Sequence, residues 1–510
     1  MRRIGIDVGG TNTDAVLIDG DAILGAVKSP TTEDVMGGIT EALRQVLAAS
    51  GVAPTSLDAV MIGTTHFTNA VVQRRDLARI AAIRLCLPAS ASLEPFIDWP
   101  VDLAQHARGE IFLLRGGHEF DGRVFADLDE EALRVIARRI RAAGYPAVGV
   151  TAAFSPLTAA HEERAAAILA EECPGVAVTQ SHAVGRIGLL ERENATLLNA
   201  SLSVLAVRTT EAFTRAIAAS GIDARLFLTQ NDGTVLPADV ARRFPVFSFA
   251  SGPTNSMRGA AYLSRRADAM VVDVGGTTTD VGMLRNGFPR EANNVVAIGG
   301  VRTLFRMPDL LSVAFGGGTL IGCEPLAIGP LSTGYRLTER ALVFGGPDLT
   351  ATDLAVAAGL IRLGEPARVA SLPRAFVDEA LARVRETIAS AIDRMKTEAG
   401  DVPVIAVGGG AFLVPDDLPG VSAVIRVEHG AVANAVGAAI AQVSGECDQV
   451  FQGLPREAVI AEATRIAERR AVAAGADPAS LKVVEVEDLP LAYMPGNALR
   501  ARVRVVGDIA

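Results

Sequence analysis

The chain has few aromatic residues, few cysteines and no excess of basic residues. Phe, Trp and Tyr make up 5% of its 510 residues, so aliphatic side chains must supply most of the 49% that is hydrophobic. The net charge of −10 argues against a surface that binds nucleic acid or an anionic membrane. The four cysteines, Cys86, Cys173, Cys323 and Cys447, show no metal-binding spacing, so we expect a reduced, cytoplasmic protein.

Long hydrophobic runs are also absent. No apolar run reaches the roughly 18 residues that a membrane-spanning helix needs. The N-terminus enters a predicted strand at residues 4–8, without the apolar segment of a signal peptide. Two common nucleotide-binding signatures, the Walker A sequence and G-x-G-x-x-G, do not occur. P-loop and dinucleotide-binding interpretations therefore lose their main support.

One octet occurs twice in the chain. Residues 7–14 read D-V-G-G-T-N-T-D and residues 273–280 read D-V-G-G-T-T-T-D, so the two differ only at Asn12 and Thr278. Each octet follows one short apolar run and precedes another. This pattern predicts a strand, a tight turn and a second strand in both places.

The residue types of the octets suit a phosphate. Paired glycines let backbone N–H groups point toward an anion, and threonine hydroxyls add donors on the same rim. An aspartate at the end of the first strand suits a hard cation such as Mg²⁺. A hairpin with a polar tip is the simpler interpretation of one octet alone. The duplication favours two facing loops that grip one polyphosphate from both sides.

Other polar turns also follow predicted strands or apolar runs. Helical spacing of apolar residues predicts helices at 34–50 and at 190–219, among others, so the chain alternates strands and helices. The further turns are residues 63–70, which read G-T-T-H-F-T-N-A, the triplet Gly316-Gly317-Gly318 and the triplet Gly408-Gly409-Gly410.

These motifs resemble those of the actin, sugar-kinase and heat-shock-chaperone ATPase superfamily, and within it the hydantoinase/oxoprolinase family, in particular its N-methylhydantoinase A-like members. The family's two phosphate loops are similar to the two octets, and its adenosine motif is similar to residues 407–410. Its remaining motifs resemble residues 63–70, 251–253 and 316–319. The motifs span about 1–440 of the chain in the family's order.

The resemblance implies an α/β fold. Two ribonuclease-H-like lobes, as in actin-like ATPases, would flank a nucleotide cleft, with a small α+β appendage at the C-terminus. We expect the first lobe at 1–188, with an insertion near 88–125, the second lobe at 189–444 and the appendage at 445–510. We expect substrate specificity to reside in 88–125 and 285–345.

The resemblance also implies an activity. Family members use ATP to open cyclic amides such as hydantoins, 5-oxoproline or lactams by phosphorylating the carbonyl oxygen, and ATP and Mg²⁺ are the implied cofactors. Phosphorylation makes an activated imidate that water can attack, and the transfer itself needs mainly positioning and charge neutralisation. The alternatives are a small-molecule kinase, an ATP-dependent ketone carboxylase subunit, and an ATPase switch or activator that acts on a partner.

The partners are expectations of the same kind. Large family members have a longer C-terminal region and often work with a separate B-type subunit. We therefore expect a B-type partner or a chain that performs only the phosphorylation step. We also expect an oligomer, and neither nucleic acid nor a membrane as a partner.

The resemblance assigns roles to individual residues. Asp7 and Asp273 would hold Mg²⁺, directly or through water, and one of them would orient or deprotonate the attacking group. Asp14 and Asp280 either contact the metal or brace the turns. The residues expected near the nucleotide and its phosphates are Gly9, Gly10, Thr11, Asn12, Thr13, Gly275, Gly276, Thr277, Thr278, Gly316, Gly317, Gly318, Gly408, Gly409 and Gly410.

A second set of residues is expected on the substrate side. Thr64, Thr65, His66 and Asn69 stand in the polar turn at 63–70, where a capped helix start is the alternative interpretation. Three other histidines show no ligand spacing, and no role is assigned to them. They are His118, His161 and His182.

Overall fold

A computed structural model describes the protein over residues 1–9, 12–30, 35–292, 295–492, 494 and 496–510. The strands are β1 (Arg2–Val8), β2 (Asn12–Asp19), β3 (Ala22–Pro30), β4 (Ala59–Thr64), β5 (Ile80–Leu87), β6 (Arg108–Arg115), β7 (Ala147–Ala152), β8 (Ala177–Gln180), β9 (Arg225–Thr229), β10 (Val235–Pro237), β11 (Ala269–Val274), β12 (Thr279–Arg285), β13 (Phe288–Pro289), β14 (Val296–Ile298), β15 (Val301–Thr303), β16 (Leu310–Val313), β17 (Thr319–Cys323), β18 (Leu326–Ser332), β19 (Val402–Val407), β20 (Val421–Arg426), β21 (Val443–Phe451), β22 (Lys482–Pro490) and β23 (Leu499–Gly507).

The helices alternate with these strands along most of the chain. They are α1 (Val35–Ser50), α2 (His66–Gln73), α3 (Val101–Ala107), α4 (Glu130–Ala143), α5 (Ala160–Glu172), α6 (Leu189–Ser201), α7 (Ser203–Ala219), α8 (Ala238–Arg243), α9 (Ser251–Ser264), α10 (Leu337–Arg340), α11 (Ala351–Ala357), α12 (Arg374–Met395), α13 (Ala433–Ala439) and α14 (Arg456–Ala473). Within the described ranges, no helix is both long and apolar enough to cross a membrane.

The helical spacing of apolar residues predicted α1 correctly, but it did not predict the break within residues 190–219. Ile39, Leu43 and Val46 are fully buried on one face of α1, as the periodicity predicts. The prediction of one helix at 190–219 was wrong, because α6 and α7 are separate helices. The Ser201 carbonyl accepts a hydrogen bond from the Ala78 amide at 2.7 Å, and this tertiary contact competes with the helical bond at the point where α6 ends.

The two octets begin two sheets with the same strand order. In the first sheet, β3, β2 and β1 are antiparallel, and β4 and β9 continue it parallel to β1. In the second sheet, β16, β12 and β11 are antiparallel, and β19 and β20 continue it parallel to β11. Three antiparallel strands followed by two parallel ones form a ribonuclease-H-like sheet. The predicted α/β fold with two such lobes is therefore present.

The C-terminal segment extends the first of these sheets. The sheet continues beyond β9 through β10, β21, β23 and β22. Helix α14 packs on this extension because Val459, Ala463, Ala467 and Ala471 are buried at helical spacing against it. The predicted α+β element at 445–510 thus exists, and its strands share a sheet with residues 2–64. The domain boundaries given above stay a prediction.

Ion pairs hold this extension against the rest of the molecule. The guanidinium of Arg306 lies 3.0 Å from Glu291 and 3.1 Å from Glu446, a residue of β21. It also lies 3.2 Å from Glu485 in β22 and 3.7 Å from Asp232. One buried cation therefore joins the C-terminal strands to two distant parts of the chain.

A separate parallel sheet, in the order β6-β5-β7-β8, occupies residues 80–180. Its faces are covered by α4 and α5 on one side, where Leu133, Ile140 and Ile168 are fully buried, and by α6 on the other. The predicted insertion near 88–125 contributes α3 and β6 to this region.

Helices α9 and α13 lie between the two octet-bearing sheets. Helix α9 packs against β11, and α13 packs against β1. A Cβ placed on Gly259 of α9 would lie 1.9 Å from the Ala433 carbonyl oxygen, and one on Gly437 of α13 would lie 1.8 Å from the Asn255 carbonyl oxygen. Only glycine allows so close a backbone approach, and it brings polar side chains of both helices to the octets.

Candidate nucleotide site

The two octets form hairpins with the same register. Asp7 stands directly opposite Asp14 in the β1–β2 pair, and Asp273 stands opposite Asp280 in the β11–β12 pair. Each hairpin therefore places two carboxylates side by side beneath its turn. Like charges at opposed positions destabilise a sheet unless the surroundings compensate them, so the neighbours of these four residues decide what the site can do.

The turns above the aspartates are closed in the same way. The Gly9 amide donates to the Asn12 carbonyl oxygen at 3.0 Å, and the Gly275 amide donates to the Thr278 carbonyl oxygen at 2.9 Å. Thr277 and Thr278 are exposed at the tip of the second turn, whereas Thr13 is buried in β2. Two predicted residues of the first turn, Gly10 and Thr11, lie outside the described residues.

Asp7 is buried, with 5% of its surface exposed. Its Oδ2 accepts a hydrogen bond from Asn434 Nδ2 at 2.9 Å, and its Oδ1 is buried without a hydrogen-bond partner among the described residues. A Cβ on Gly63 would lie 2.6 Å from that Oδ1. Burial, followed by repulsion from Asp14, raises the pKa of Asp7 to about 6. The site therefore favours a cation or a proton at Oδ1.

Asp273 occupies the corresponding place in the second hairpin. Its carboxylate receives a hydrogen bond from Ser256 of α9, and burial raises its pKa. A Cβ on Gly408, whose φ is +87°, would lie 2.2 Å from Asp273 Oδ1. The charge of Asp273 also contributes to the raised pKa of Asp7. The two carboxylates are thus close enough for the charge of Asp273 to act on Asp7.

These carboxylates fit a magnesium ion bound with a polyphosphate. Mg²⁺ is usually held by one or two carboxylates, several waters and phosphate oxygens rather than by a protein cage. The unpartnered Asp7 Oδ1 suits such a ligand, and Asp273 supplies a second carboxylate. The described part of the chain has no group of three or more His, Cys, Asp or Glu that could hold a metal alone.

Lys28 is a member of the site that the sequence did not reveal. Its Nζ donates to both carboxylate oxygens of Asp14, at 2.6 and 2.8 Å, from the adjacent strand β3. Its charge also lowers the pKa of Asp7 and of Asp273 against the effect of burial. Lys28 is therefore a cation whose charge acts on carboxylates of both hairpins.

Asp280 has a different neighbour. Its carboxylate accepts a hydrogen bond from Ser312 of β16, the strand that pairs with β12 on its outer side. Burial raises the pKa of Asp280 to about 6, and the hydrogen bond from Ser312 only partly offsets it. These contacts fit the bracing role considered for Asp14 and Asp280. Metal contact of Asp14 and Asp280 stays a prediction.

The glycine triplet at 316–318 lies against the second turn. The Gly317 and Gly318 amides donate to the carbonyl oxygens of Gly275 and Gly276 at 2.9 and 2.7 Å, and the Gly316 amide donates to Thr319 Oγ1 at 2.7 Å. All three amide hydrogens are thus used within the protein. The triplet supports the backbone of the phosphate loop, and its direct contact with a nucleotide stays a prediction.

The triplet at 408–410 follows β19 beside the same turn. The Gly410 amide donates to the Val274 carbonyl oxygen at 2.7 Å, and the Gly408 amide donates to the Gly430 carbonyl oxygen at 2.9 Å. A Cβ on Gly409 would meet nothing within 4 Å. Gly409 is therefore the residue of this triplet with open space for a ligand.

The polar turn at 63–70 packs beside the first hairpin. Thr64 is buried and exchanges hydrogen bonds with Ser251 at the start of α9, at 3.2 and 3.3 Å. The ring of His66 is hydrogen-bonded to Thr64 Oγ1 through Nδ1, and burial lowers its pKa. Asn69 donates to Thr65 Oγ1 at 3.3 Å, and Thr65 reaches the Val8 carbonyl oxygen at 3.5 Å. The structure thus brings this turn to Asp7.

Comparison with known proteins agrees with this geometry. Residues 3–173 match a family model described as the hydantoinase/oxoprolinase N-terminal region, and residues 192–366 match one described as hydantoinase/oxoprolinase. The chain belongs to the hydantoinase/oxoprolinase family. The resemblance inferred from the motifs is confirmed.

Relatives of this family member include components of larger enzymes. The chain is 26% identical to the alpha subunit of the caprolactamase of Pseudomonas jessenii over 427 residues, which cover 77% of the chain and 60% of the relative. It is 27% identical to the acetophenone carboxylase gamma subunit of Aromatoleum aromaticum over 405 residues, 71% of the chain and 53% of the relative. The alignments thus cover less than two thirds of these relatives' length.

A solved structure confirms the fold of this family member. The crystal structure of the ATP-dependent caprolactamase from Pseudomonas jessenii superimposes with a TM-score of 0.79 at 19% identity. The superposition covers 100% of the chain and 88% of that chain. The similarity extends through the C-terminal strands, which belong to the shared fold.

Three functional candidates lie outside the sequence motifs. They are Lys28, Ser256 and Asn434, which contact Asp14, Asp273 and Asp7. Asn434 is 427 residues from Asp7 along the chain, so no local pattern could have linked them. For Lys28 a signal existed, because a lone lysine in the strand after the first octet falls opposite Asp14 once the hairpin register is drawn.

Proposed function

We propose that the protein is an ATP-dependent hydrolase, or one component of such an enzyme, that opens a cyclic amide by phosphorylating its carbonyl oxygen. The pair of like hairpins that places Asp7 and Asp273 within electrostatic reach of each other carries this proposal. Two glycine turns, each with a carboxylate of raised pKa beside it, suit a metal-bound polyphosphate. The family membership and the caprolactamase relative support a lactam or a related ring as the acceptor.

The reaction assigns tasks to residues of both hairpins. Asp7 and Asp273 would hold Mg²⁺, which neutralises the phosphate charge and aligns the γ-phosphate. The amide carbonyl oxygen attacks the γ-phosphorus, the bond to the ADP oxygen breaks, and an O-phosphorylated imidate forms as the amide nitrogen loses its proton. Water then adds to the imidate carbon, and the carbon–nitrogen bond breaks as the amine takes up a proton, which leaves an acyl phosphate. A second water hydrolyses the acyl phosphate to a carboxylate and free phosphate. Lys28 adds positive charge where the phosphate charge accumulates.

The remaining predicted residues fit around this path. The backbones of Gly9, Gly10, Thr11, Asn12 and Thr13 would face the phosphates from one side, and Gly275, Gly276, Thr277 and Thr278 from the other. Gly409 would lie near the nucleotide, with Gly408 and Gly410 holding it in place. Thr64, Thr65, His66 and Asn69 would lie toward the substrate, because their turn packs beside Asp7.

Ketone carboxylation is the second candidate activity. The acetophenone carboxylase relative favours it. In that case the enol oxygen of a ketone would take the phosphate in place of an amide oxygen. Dependence of ATP turnover on bicarbonate and on a ketone separates this activity from amide hydrolysis.

A partner protein is also part of the proposal. Both curated relatives named above are subunits. We propose that a B-type subunit completes the hydrolysis after this chain has transferred the phosphate, within a cytoplasmic oligomer. The described cysteines are free, which agrees with a reducing compartment.

The experiment is ATP hydrolysis by the purified chain with Mg²⁺, followed as phosphate and ADP. Hydantoin, N-methylhydantoin, 5-oxoproline, caprolactam and simple ketones are added in turn, with and without bicarbonate. Stimulation by one cyclic amide is the expected result. Asp7→Asn and Asp273→Asn should each lower the stimulated rate at least about 100-fold, whereas Asp393→Asn, at an exposed position of α12, should leave it unchanged. Undiminished turnover in either site variant would overturn the proposal.

A further inference from the structure

A pocket of about 560 Å³ is lined by residues that the proposed chemistry does not use. Part of its wall is apolar, with Leu236, Phe247 and Phe305. Another part is polar, with His182 and Arg186. A pocket of this size, with a few polar groups in a partly apolar wall, is typical of a small-molecule site.

Two residues of the pocket wall lie at the edge of the first sheet that carries Asp7. A Cβ on Gly63 would lie 2.6 Å from Asp7 Oδ1 and 3.2 Å from Thr229 Oγ1, so Thr229 ends β9 beside the hairpin. The next two residues, Gln230 and Asn231, line the pocket. Because β9 is the second strand from β1, the end of β9 at Thr229 lies about 10 Å from Asp7 across the sheet.

His182 is held in the pocket wall by a buried carboxylate. Glu162 is fully buried, and its Oε2 accepts hydrogen bonds from the His182 amide at 2.9 Å and from His182 Nδ1 at 2.7 Å. Its Oε1 accepts from the Ala152 amide at 2.7 Å and from Ser181. With the proton on Nδ1, the lone pair of Nε2 is available, and among the described residues no hydrogen bond reaches it.

Glu162 is suited to this task because it is ionised. Burial alone would raise its pKa, but the hydrogen bond from His182 and the charge of Arg192 outweigh that effect and hold the pKa below its usual range. Arg192 is itself fully buried and donates to Ser181 Oγ at 2.9 Å. A fixed carboxylate thus sets both the tautomer and the orientation of the ring.

The pocket wall is electrically balanced. It contains four acidic and four basic side chains, which are Glu163, Asp232, Glu446, Asp448, Arg186, Arg306, Arg470 and Arg500. Most of them are engaged with one another, as in the pair of Arg500 with Asp448 at 2.6 Å. A wall with equal numbers of both signs gives a charged ligand no net attraction, so a neutral polar ligand fits best.

Arg186 is paired less closely than Arg500. Its nearest carboxylates, on Glu291 and Asp448, lie 3.6 Å away, beyond good hydrogen-bond distance. Its Nη2 is buried and has no hydrogen-bond partner among the described residues. A donor left unsatisfied in this way is costly unless a ligand or water completes it.

We propose that this pocket binds the neutral cyclic amide ring. His182 Nε2 accepts the ring N–H, Arg186 donates to the ring carbonyl oxygen, and Phe247, Phe305 and Leu236 contact the ring carbons. This inference rests on the proposed function and deepens it by placing the organic substrate. The main substrate contacts would then lie at His182, whose sequence context showed no ligand spacing, and not in the turn at 63–70.

The test is a binding measurement that needs no turnover. The chain contains six histidines, and ¹³C labelling at the histidine Cε1 gives each its own NMR signal. His182→Gln identifies the signal of His182, and His106→Gln identifies that of an exposed control histidine. Caprolactam, 2-pyrrolidone and hydantoin are titrated into the nucleotide-free protein. We expect at least one of them to shift the His182 signal while the His106 signal stays in place.

Two variants measure the contribution of the pocket. His182→Gln and Arg186→Gln should each weaken binding of the active ring at least about tenfold, since each removes one hydrogen bond from a buried ligand. Thermal unfolding of both variants checks that they fold, and His106→Gln serves as the matched control. Unchanged affinity in folded Arg186→Gln would overturn the inference even if His182→Gln did not fold.

The outcomes separate this inference from the proposed function. A ring that stimulates ATP hydrolysis with the same KM in wild type, His182→Gln and Arg186→Gln would overturn the pocket and leave the hydrolase standing. A ring that binds at His182 without stimulating hydrolysis would leave the pocket and count against the hydrolase. If none of the three rings shifts the His182 signal, or if His66 shifts in its place, the pocket assignment is wrong.

Discussion

The two hairpins of the nucleotide site have nearly the same sequence and the same register, but different third strands. In the first hairpin, Asp14 stands opposite Lys28 of β3, which forms an ion pair with it. In the second, Asp280 stands opposite Ser312 of β16, which only donates a hydrogen bond. Lys28 and Ser312 thus occupy equivalent positions. A duplicated motif has acquired two electrostatic environments from its neighbours.

The comparison extends to the glycines beside the strand ends. Gly63 packs on Asp7 from β4, and Gly408 packs on Asp273 from the end of β19. Gly408 has a φ of +87°, whereas Gly63 continues a regular strand. The glycine beside the first carboxylate therefore has ordinary strand geometry, whereas the glycine beside the second lies in a turn that only glycine adopts readily.

The largest effect is expected from closing the space at Asp273. Gly408→Ala should destabilise the fold by about 3 kcal/mol, because it combines an unfavourable positive φ with a Cβ 2.2 Å from Asp273 Oδ1. ATP turnover should fall with it. The measurement is chemical unfolding together with the ATPase rate. Gly409→Ala is the matched control for the unfolding measurement, since its Cβ would meet nothing within 4 Å. Equal effects of the two substitutions would contradict this account.

Removing the cation of the first hairpin should have the next largest effect. Lys28→Ser places a serine opposite Asp14, as Ser312 stands opposite Asp280 in the second hairpin. The buried Asp14 then loses its ion pair, which should lower the free energy of unfolding by about 2 kcal/mol. The ATPase rate should fall about tenfold, because positive charge near the phosphates is lost. Lys482→Ser, at an exposed position, is the control. A variant with full activity would show that Lys28 serves the fold alone.

The second hairpin should make stability depend on pH. The pKa of Asp280 is about 6 in the folded chain and near 3.8 when unfolded. The folded state therefore holds a proton that the unfolded state has released, and stability is lost as the pH rises from about 4 through 6. Asp280→Asn should be more stable than wild type at pH 7, by about 1 to 2 kcal/mol, and the difference should vanish near pH 4. Urea unfolding at several pH values measures it, and a constant difference would refute the assignment.

The smallest effect should come from the hydroxyl of Ser312. Ser312→Ala removes one hydrogen bond to Asp280, which should cost about 1 kcal/mol. The converse substitution, Ser312→Lys, should lower the pKa of Asp280 and remove part of its pH dependence. Urea unfolding at pH 7 compares the two variants. If Ser312→Lys leaves the pH dependence of stability unchanged, Ser312 and Lys28 correspond in position but not in their effect on the aspartate opposite them.

Much of the fold and part of the site could be predicted from the sequence. The octets predicted the hairpins and their carboxylates, because a strand–turn–strand unit is a local structure that depends on apolar runs and paired glycines. The duplication then indicated two lobes. The break between α6 and α7 escaped prediction because it depends on a hydrogen bond between Ser201 and Ala78, which the helical periodicity does not contain.

The sequence by itself determined the two hairpins, the alternation of strands and helices, and the aliphatic core. Only the tertiary structure decided which residues surround the carboxylates. Asn434, Ser256 and Lys28 reach them from different elements, and His182 gains a partner in Glu162 and a place in a pocket wall. The physical reason is the distance along the chain over which each interaction acts. Turn and strand preferences act between near neighbours, whereas burial, charge pairing and pocket shape depend on residues that only the folded chain brings together.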